Sequence, residues 1–290
     1  MKDDFTKEWI ISNSVEIVGQ YEKGILTLRA LHYQLVGRGM TNDIQHYKRV
    51  VSSMISARWN NIVSFDTFSD LDRAMVGETS SKETLLDNEI ENGKYQIEAW
   101  MRSYHKNKWE NQPYYPEIFI EKKALQGVFQ NVCDDWNVGL GACKGYPSLT
   151  FLYEASLRFE NAESRGKNPI IIYFGDYDPS GEDIPRSIEE NLSKFGVGVE
   201  VRRIALMEEQ VIEWDLPPAP AKTSDTRTSK WTGIGQVELD AVRPEKLMDL
   251  LKQAIWDVFD DDLYQDLLAV EKDEKIVYQK ELKQFVRKMK

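Results

Sequence analysis

The chain has 290 residues, 41% of them hydrophobic, and a formal net charge of −11. That composition supports a sizeable core and excludes global disorder, while the acidic balance argues against a protein that coats nucleic acid nonspecifically. Two cysteines without a CxxC pair and three scattered histidines argue against a disulfide framework or a structural zinc site.

In chain order, residues 4–22 have the apolar spacing of a helix, with Phe5, Trp9, Ile10, Val15, Ile17 and Val18. Thr27 is placed to cap a second helix, "LRALHYQLVGRG", and Asn42 a third, "DIQHYKRVVSSMISARW". The following "NNIVSFDTF" reads as a short strand or wing, so residues 1–72 are expected to form a winged helix-turn-helix. Residues 73–115 read as a connector carrying a helix around "NGKYQIEAWMRSYH". From residue 116 strands and helices alternate. The strands are "EIFI", "VGLGAC", "IIIYFGD" and "VGVEVRRIAL", which predicts an α/β domain with a parallel sheet over residues 116–290. A proline-rich loop or lid occupies 212–235, with Lys222, Arg227 and Lys230, and charged helices form the tail. No run nears the roughly 18 apolar residues of a membrane helix, and the start "MKDDFTKEWI" lacks the layout of a secretory leader. A soluble, cytoplasmic protein is expected.

The chemistry gathers where parallel sheets place it, at the carboxyl ends of strands. Asp176 and Asp178 follow "IIIYF", and Glu121 follows "EIFI". Residues two apart in an extended segment face the same side. Clustered carboxylates raise one another's pKa, and a hard divalent cation relieves that cost. Magnesium or manganese is therefore the expected cofactor, able to neutralise a phosphate and polarise a P–O bond. A structural reading stands beside this one: Asp178-Pro179 would simply start the next helix. A haloacid-dehalogenase-type phosphatase also places Asp-x-Asp after a strand, but it lacks the upstream glutamate.

The segments "KGYPSLTF" and "GDYDPSGEDI", with Glu121 upstream, resemble the Toprim pattern. They are most similar to the A subunit of topoisomerase VI and the related meiotic double-strand-break enzymes, in a compact form like those of phage and mobile elements. The match covers roughly residues 116 to 205. That resemblance implies an N-terminal winged helix followed by a Rossmann-like Toprim domain. It also implies magnesium-dependent cleavage of DNA, a homodimer with DNA between protomers, and a separate ATPase subunit for strand passage. The family's Arg-x-x-(Tyr/Phe)-Tyr segment aligns with Arg29 to Tyr33, making Tyr33 the implied nucleophile and Arg29 its phosphate partner. His32 departs from the usual aromatic and reads as a packing residue, and the Phe-x-x-Gln segment that tends to follow is missing.

Helical spacing puts Leu28, Leu31, Leu35 and Val36 on one stripe, with Tyr33 off it and exposed, one turn after Arg29. Lys48, Arg49 and Arg58 on the third helix, with Lys122 after Glu121, offer a local positive face for DNA. Lys123, beside Lys122, is likewise placed to touch phosphate; both also suit an ordinary solvated helix start. Three functions remain in view: tyrosine-mediated strand cleavage, a Toprim nuclease using metal-activated water, and a DNA-binding module without catalysis.

Overall fold

A computed structural model describes residues 5–68, 85–218 and 233–288. The chain divides into two compact units, one of Met1–Ala74 with Tyr114–Val258, the other of Met75–Pro113 with Phe259–Lys290.

The first unit begins with three helices, α1 (Lys7–Val18), α2 (Leu28–Gly37) and α3 (Ile44–Trp59). Each starts on a side-chain cap that satisfies an otherwise orphaned backbone N–H. Thr6 accepts from Trp9, Thr27 from Ala30, and Asp43 from His46. The third cap is thus Asp43, one residue beyond the expected Asn42. Ile10, Ile17, Leu31, Leu35, Val50 and Met54 meet in a shared core. The expected wing strand is absent among the described residues. "SFDTF" forms a 3-10 turn at Phe65–Thr67, and only an isolated bridge joins Leu26 to Phe68.

The sheet holds β1 (Tyr114–Ile120), β2 (Gly139–Ala142), β3 (Asn168–Phe174) and β4 (Glu200–Ala205), all parallel, in the order β2-β1-β3-β4. β3 is central and covered on both faces, which is why "PIIIYF" is apolar without alternation. One face packs Phe119, Ile171 and Tyr173 against α6 (Leu149–Ser164) and α7 (Pro179–Lys194). On the other, Phe174 meets Phe129 of α5 (Gln126–Trp136), with ring centroids 4.8 Å apart. A short α8 (Glu208–Glu213) follows β4, and α9 (Pro244–Trp256) packs on α5. Two prolines lie in central strands without breaking them. The β2 ladder begins at Glu117, after Pro116, and the β4 ladder at Ile170, after Pro169. Each proline therefore precedes the fully paired stretch.

The second unit pairs α4 (Leu86–Arg102) with α10 (Asp261–Lys288). The connector helix and the tail helix thus share one unit, whereas the sequence expectation placed the first in the connector, 73–115, and the second in the α/β domain, 116–290. Gln112 is buried and exchanges hydrogen bonds with the backbone of Asp260, at 2.8 and 2.7 Å. Lys106 bridges Glu110 and Glu274, each at 3.0 Å. No described helix is long and apolar enough to cross a membrane.

Of the predicted 212–235 loop, residues 219–232, including Lys222, Arg227 and Lys230, lie outside the described residues, as do residues 69–72 of the predicted winged-helix span.

Candidate functional site

The register of the sheet builds the site. Ile120 of β1 stands opposite Phe174 of β3, and the Glu121 N–H donates to the Phe174 carbonyl at 2.8 Å, carrying the ladder one step further. Glu121 therefore emerges beside the chain that leads to Asp176. Its Oε2 accepts from the Asp176 N–H at 2.9 Å and from the Tyr173 hydroxyl at 3.3 Å. Arg203 of β4 donates to the carbonyls of Asp176 and Leu206, at 2.9 and 2.6 Å, and pins the turn from below.

Asp178 caps α7, accepting from the Gly181 N–H at 2.7 Å, with Pro179 in the first helical position. The structural reading of Asp178-Pro179 is thus realised, and only one oxygen is used for it. Gly181 is required by close approach, since a Cβ there would lie 2.1 Å from the Asp176 carbonyl oxygen. No such contact can be relieved by a side-chain rotation, because the atom it meets is backbone.

A second acidic pair completes the site. The segment Gln236–Asp240 runs across the end of β3. Tyr177 and Val237 exchange backbone hydrogen bonds at 2.8 and 2.9 Å, and the Leu239 N–H donates to Asp176 Oδ1 at 2.8 Å. Glu238 and Asp240 are buried there. Lys122 places its ammonium among three carboxylates, 3.0 Å from Asp176, 3.2 Å from Glu238 and 2.9 Å from Asp240. Arg29 reaches Glu238 at 3.2 Å, and the Thr27 hydroxyl reaches Asp240 at 3.3 Å. The start of α2 is thereby tied to the sheet's carboxyl end.

Burial disfavours the charged form of each acid. It raises Glu121, and the nearby Asp178 charge adds to the rise. It raises Asp176 against the pull of Lys122. For Lys122 burial works against the charge, but Asp240, Asp176 and Glu238 outweigh it and hold the ammonium protonated. Among the described residues no group of three histidines, cysteines or acids is arranged to hold a metal ion. The physical reason is visible in the contacts, since both Asp176 oxygens are already engaged, by Lys122 and by Leu239.

Tyr33 is buried, only 3% exposed, which corrects the expectation of an exposed tyrosine. The helical stripe accounts for packing on α1 and α3, but the 3-10 turn Leu239–Ala241 covers the other flank of α2. The hydroxyl makes no hydrogen bond of normal geometry. Burial pushes the phenol well above its ordinary value and Glu238 adds to this, while Arg29 and Lys122 oppose.

His32 is buried beside Tyr33 and Tyr47, as its packing role requires. Its ring nitrogens make no hydrogen bond of normal geometry, and burial holds its pKa below the usual value. A depressed folded value means that the unfolded chain takes up the proton first. Stability is then full above about pH 6.5 and falls as pH drops below it. Urea titrations between pH 7.5 and 5 (on the order of two units around that value) should show this loss. The His32→Phe variant should lose less over the same range.

Of the four predicted DNA-binding residues only two come together. Arg58 and Lys122 line one cavity of about 1090 Å³, with Glu121, Arg29 and Lys144. Arg58 stacks on Phe68 at 4.8 Å. Lys48 is exposed elsewhere on α3, and Arg49 turns back to the Phe5 carbonyl. Glu238, Asp240 and Arg203 were missed. Their local signals were the i, i+2 acids of "VELD" and the paired arginines inside a strand, "EVRRIA".

Comparison with protein-family models, with curated proteins and with solved structures finds no match to this chain.

Proposed function

We propose that the protein cuts DNA strands at a magnesium- or manganese-dependent site built on Glu121, Asp176 and Asp178, in the manner of the Toprim enzymes its motifs resemble. The observation that carries this reading is the meeting of Glu121 with the Asp176–Asp178 turn, at the carboxyl ends of adjacent parallel strands. The winged-helix reading of α1 to α3 belongs to the same proposal.

The donor set fits a hard cation. Glu121 Oε1 and Asp178 Oδ2 accept no hydrogen bond among the described residues. Magnesium is commonly held by one or two carboxylates, with water and substrate phosphate filling the remaining positions. Glu121 and Asp178 would hold it, with Asp176 joining if Lys122 gave way. When bound, the ion neutralises phosphate charge and polarises the scissile bond. The chain's own part is positioning. The Asp176 N–H and the Tyr173 hydroxyl fix the Glu121 carboxylate, and the Gly181 N–H fixes Asp178. Lys144, on the wall of the same cavity, would meet phosphate, while Lys122 and Arg29 are held by the site's own acids.

The burial of Tyr33 and its raised phenol favour water as the nucleophile. Attack by Tyr33 is the second reading, supported by the nearness of Arg29 and Lys122 to its hydroxyl. Supercoiled DNA with magnesium or manganese should be nicked or linearised. Glu121→Gln should reduce that by at least about a hundredfold, since even outer-shell changes approach this loss. Tyr33→Phe should keep cutting and show no protein-linked DNA on denaturing gels. A covalent adduct that disappears in Tyr33→Phe would establish the tyrosine mechanism instead. No cutting with either ion sinks both.

A further inference from the structure

The wall of the cavity at Phe65 belongs to a feature that the acidic site does not use. At the end of α3, Trp59 is 74% exposed, and Phe65 in the next turn is 57% exposed. Single exposed apolar residues are ordinary, but clustered large rings mark binding surfaces. The two rings meet edge to face, with centroids 5.2 Å apart, an arrangement that leaves ring surface open to a third flat group. Phe65 lines the same cavity as Arg58, Lys123, Lys144 and Glu121. The patch therefore joins flat apolar rings to positive charge, and the charge leads to the carboxylates.

A polyanion with exposed rings of its own suits such a surface. Aromatic platforms beside cations are the usual means of holding single-stranded nucleic acid, because every base has a face to stack. A duplex hides those faces inside its own stack, and only an unpaired strand offers them. The overall charge of −11 makes a local, stacking-assisted grip more apt than a broad electrostatic one, since charges farther than about 10 Å are screened.

We propose that the cavity takes an unpaired nucleic-acid strand, with bases stacked on Trp59 and Phe65 and phosphates led past Lys144 and Lys123 toward Glu121. The strand's destination rests on the cleavage reading. The stacking surface rests on ring exposure and charge.

The test is fluorescence anisotropy in EDTA, so that nothing is cut, with a labelled oligonucleotide of about 12 nucleotides, within the usual site size. The single strand should bind at least about tenfold tighter than the same sequence as a duplex. Trp59→Ala and Phe65→Ala should each weaken it by roughly 5- to 150-fold, the range for losing one stacked base. Phe65→Leu should behave like alanine, and Phe65→Tyr like the parent. An abasic strand with the same phosphates should lose a similar factor. Both positions are exposed, so the fold is expected to survive, and circular dichroism checks it. Equal affinity for duplex and single strand, undiminished binding of the abasic strand, or unchanged alanine variants would overturn the proposal. So would self-association without nucleic acid that Trp59→Ala abolishes, which would assign the patch to a second copy of the chain. The parent protein separates the two readings: failed binding in EDTA counts against the stacking surface, and failed cutting of bound DNA with magnesium or manganese counts against the cleavage site.

Discussion

Lys122→Met should lose about 3 kcal/mol of stability at neutral pH, measured by urea denaturation, near the low end for breaking a buried ion pair. The Lys122 side chain is 25% exposed, whereas those of Asp176 and Asp240 are 4% and 3% exposed. Methionine keeps the stem and removes only the charge, leaving three carboxylates facing one another. The pKa of Asp176, already raised by burial, then rises further above its unfolded value. A group with a raised folded pKa contributes stability below its unfolded pKa and loses it as pH rises through the folded value. The variant should therefore be weakest above neutral pH and recover toward the parent as pH falls to about 4, the ordinary carboxylate range. Magnesium or manganese should also raise the variant's stability more than the parent's, because in the variant Asp176 and Asp240 have lost their cation as well. A variant as stable as the parent at pH 8 (on the order of four units above the carboxylate range) would show that Lys122 is not the internal counter-ion its contacts describe.

Gly181→Ala should destabilise by about 3 kcal/mol or more, the upper range for overpacking. In an ordinary helix the same change gains up to about 1 kcal/mol. The sign reverses because the added Cβ would meet the Asp176 carbonyl oxygen at 2.1 Å and its carbon at 3.0 Å. To relieve this, the first turn of α7 must move away from the strand end, carrying Asp178 with it. Gly93→Ala is the matched control, because nothing lies within 4 Å of a Cβ at Gly93 of α4. It should be neutral or stabilising. Thermal melts of the pair, read for direction, would decide the matter, and a loss at Gly93 with none at Gly181 would contradict it.

What the sequence made legible follows from how local the signals are. The parallel strands were readable because "EIFI" and "IIIYF" are apolar on both faces and end in acids. The start of α7 was readable because Asp-Pro-x-Gly is a capping pattern within four residues. Glu238 and Asp240 were not, since they lie 116 and 118 residues from the lysine they hold. Lys122 consequently looked like a phosphate contact at a helix start. Tyr33 looked exposed because helical periodicity counts apolar neighbours on α2 alone, and the covering turn at Leu239 comes from far along the chain. The strand expected in "NNIVSFDTF" is not seen for another reason: "IVSF" has the composition of a strand, but no neighbouring strand pairs with it among the described residues.

The second unit is stitched from two distant pieces of chain, closed by contacts such as Gln112 with Asp260, 148 residues apart. This sets a timetable for synthesis. Domains generally fold as they emerge, first part first. The sheet and its acidic site are fully translated by Val258, whereas α4 must wait for α10, which ends at Lys288. Through that interval α4 carries Leu86, Ile90 and Trp100, exposed even in the finished fold, without its helical mate. A released chain ending near residue 260 would therefore present the folded sheet unit with an unpaired amphipathic helix, the form in which a chaperone would have most to cover.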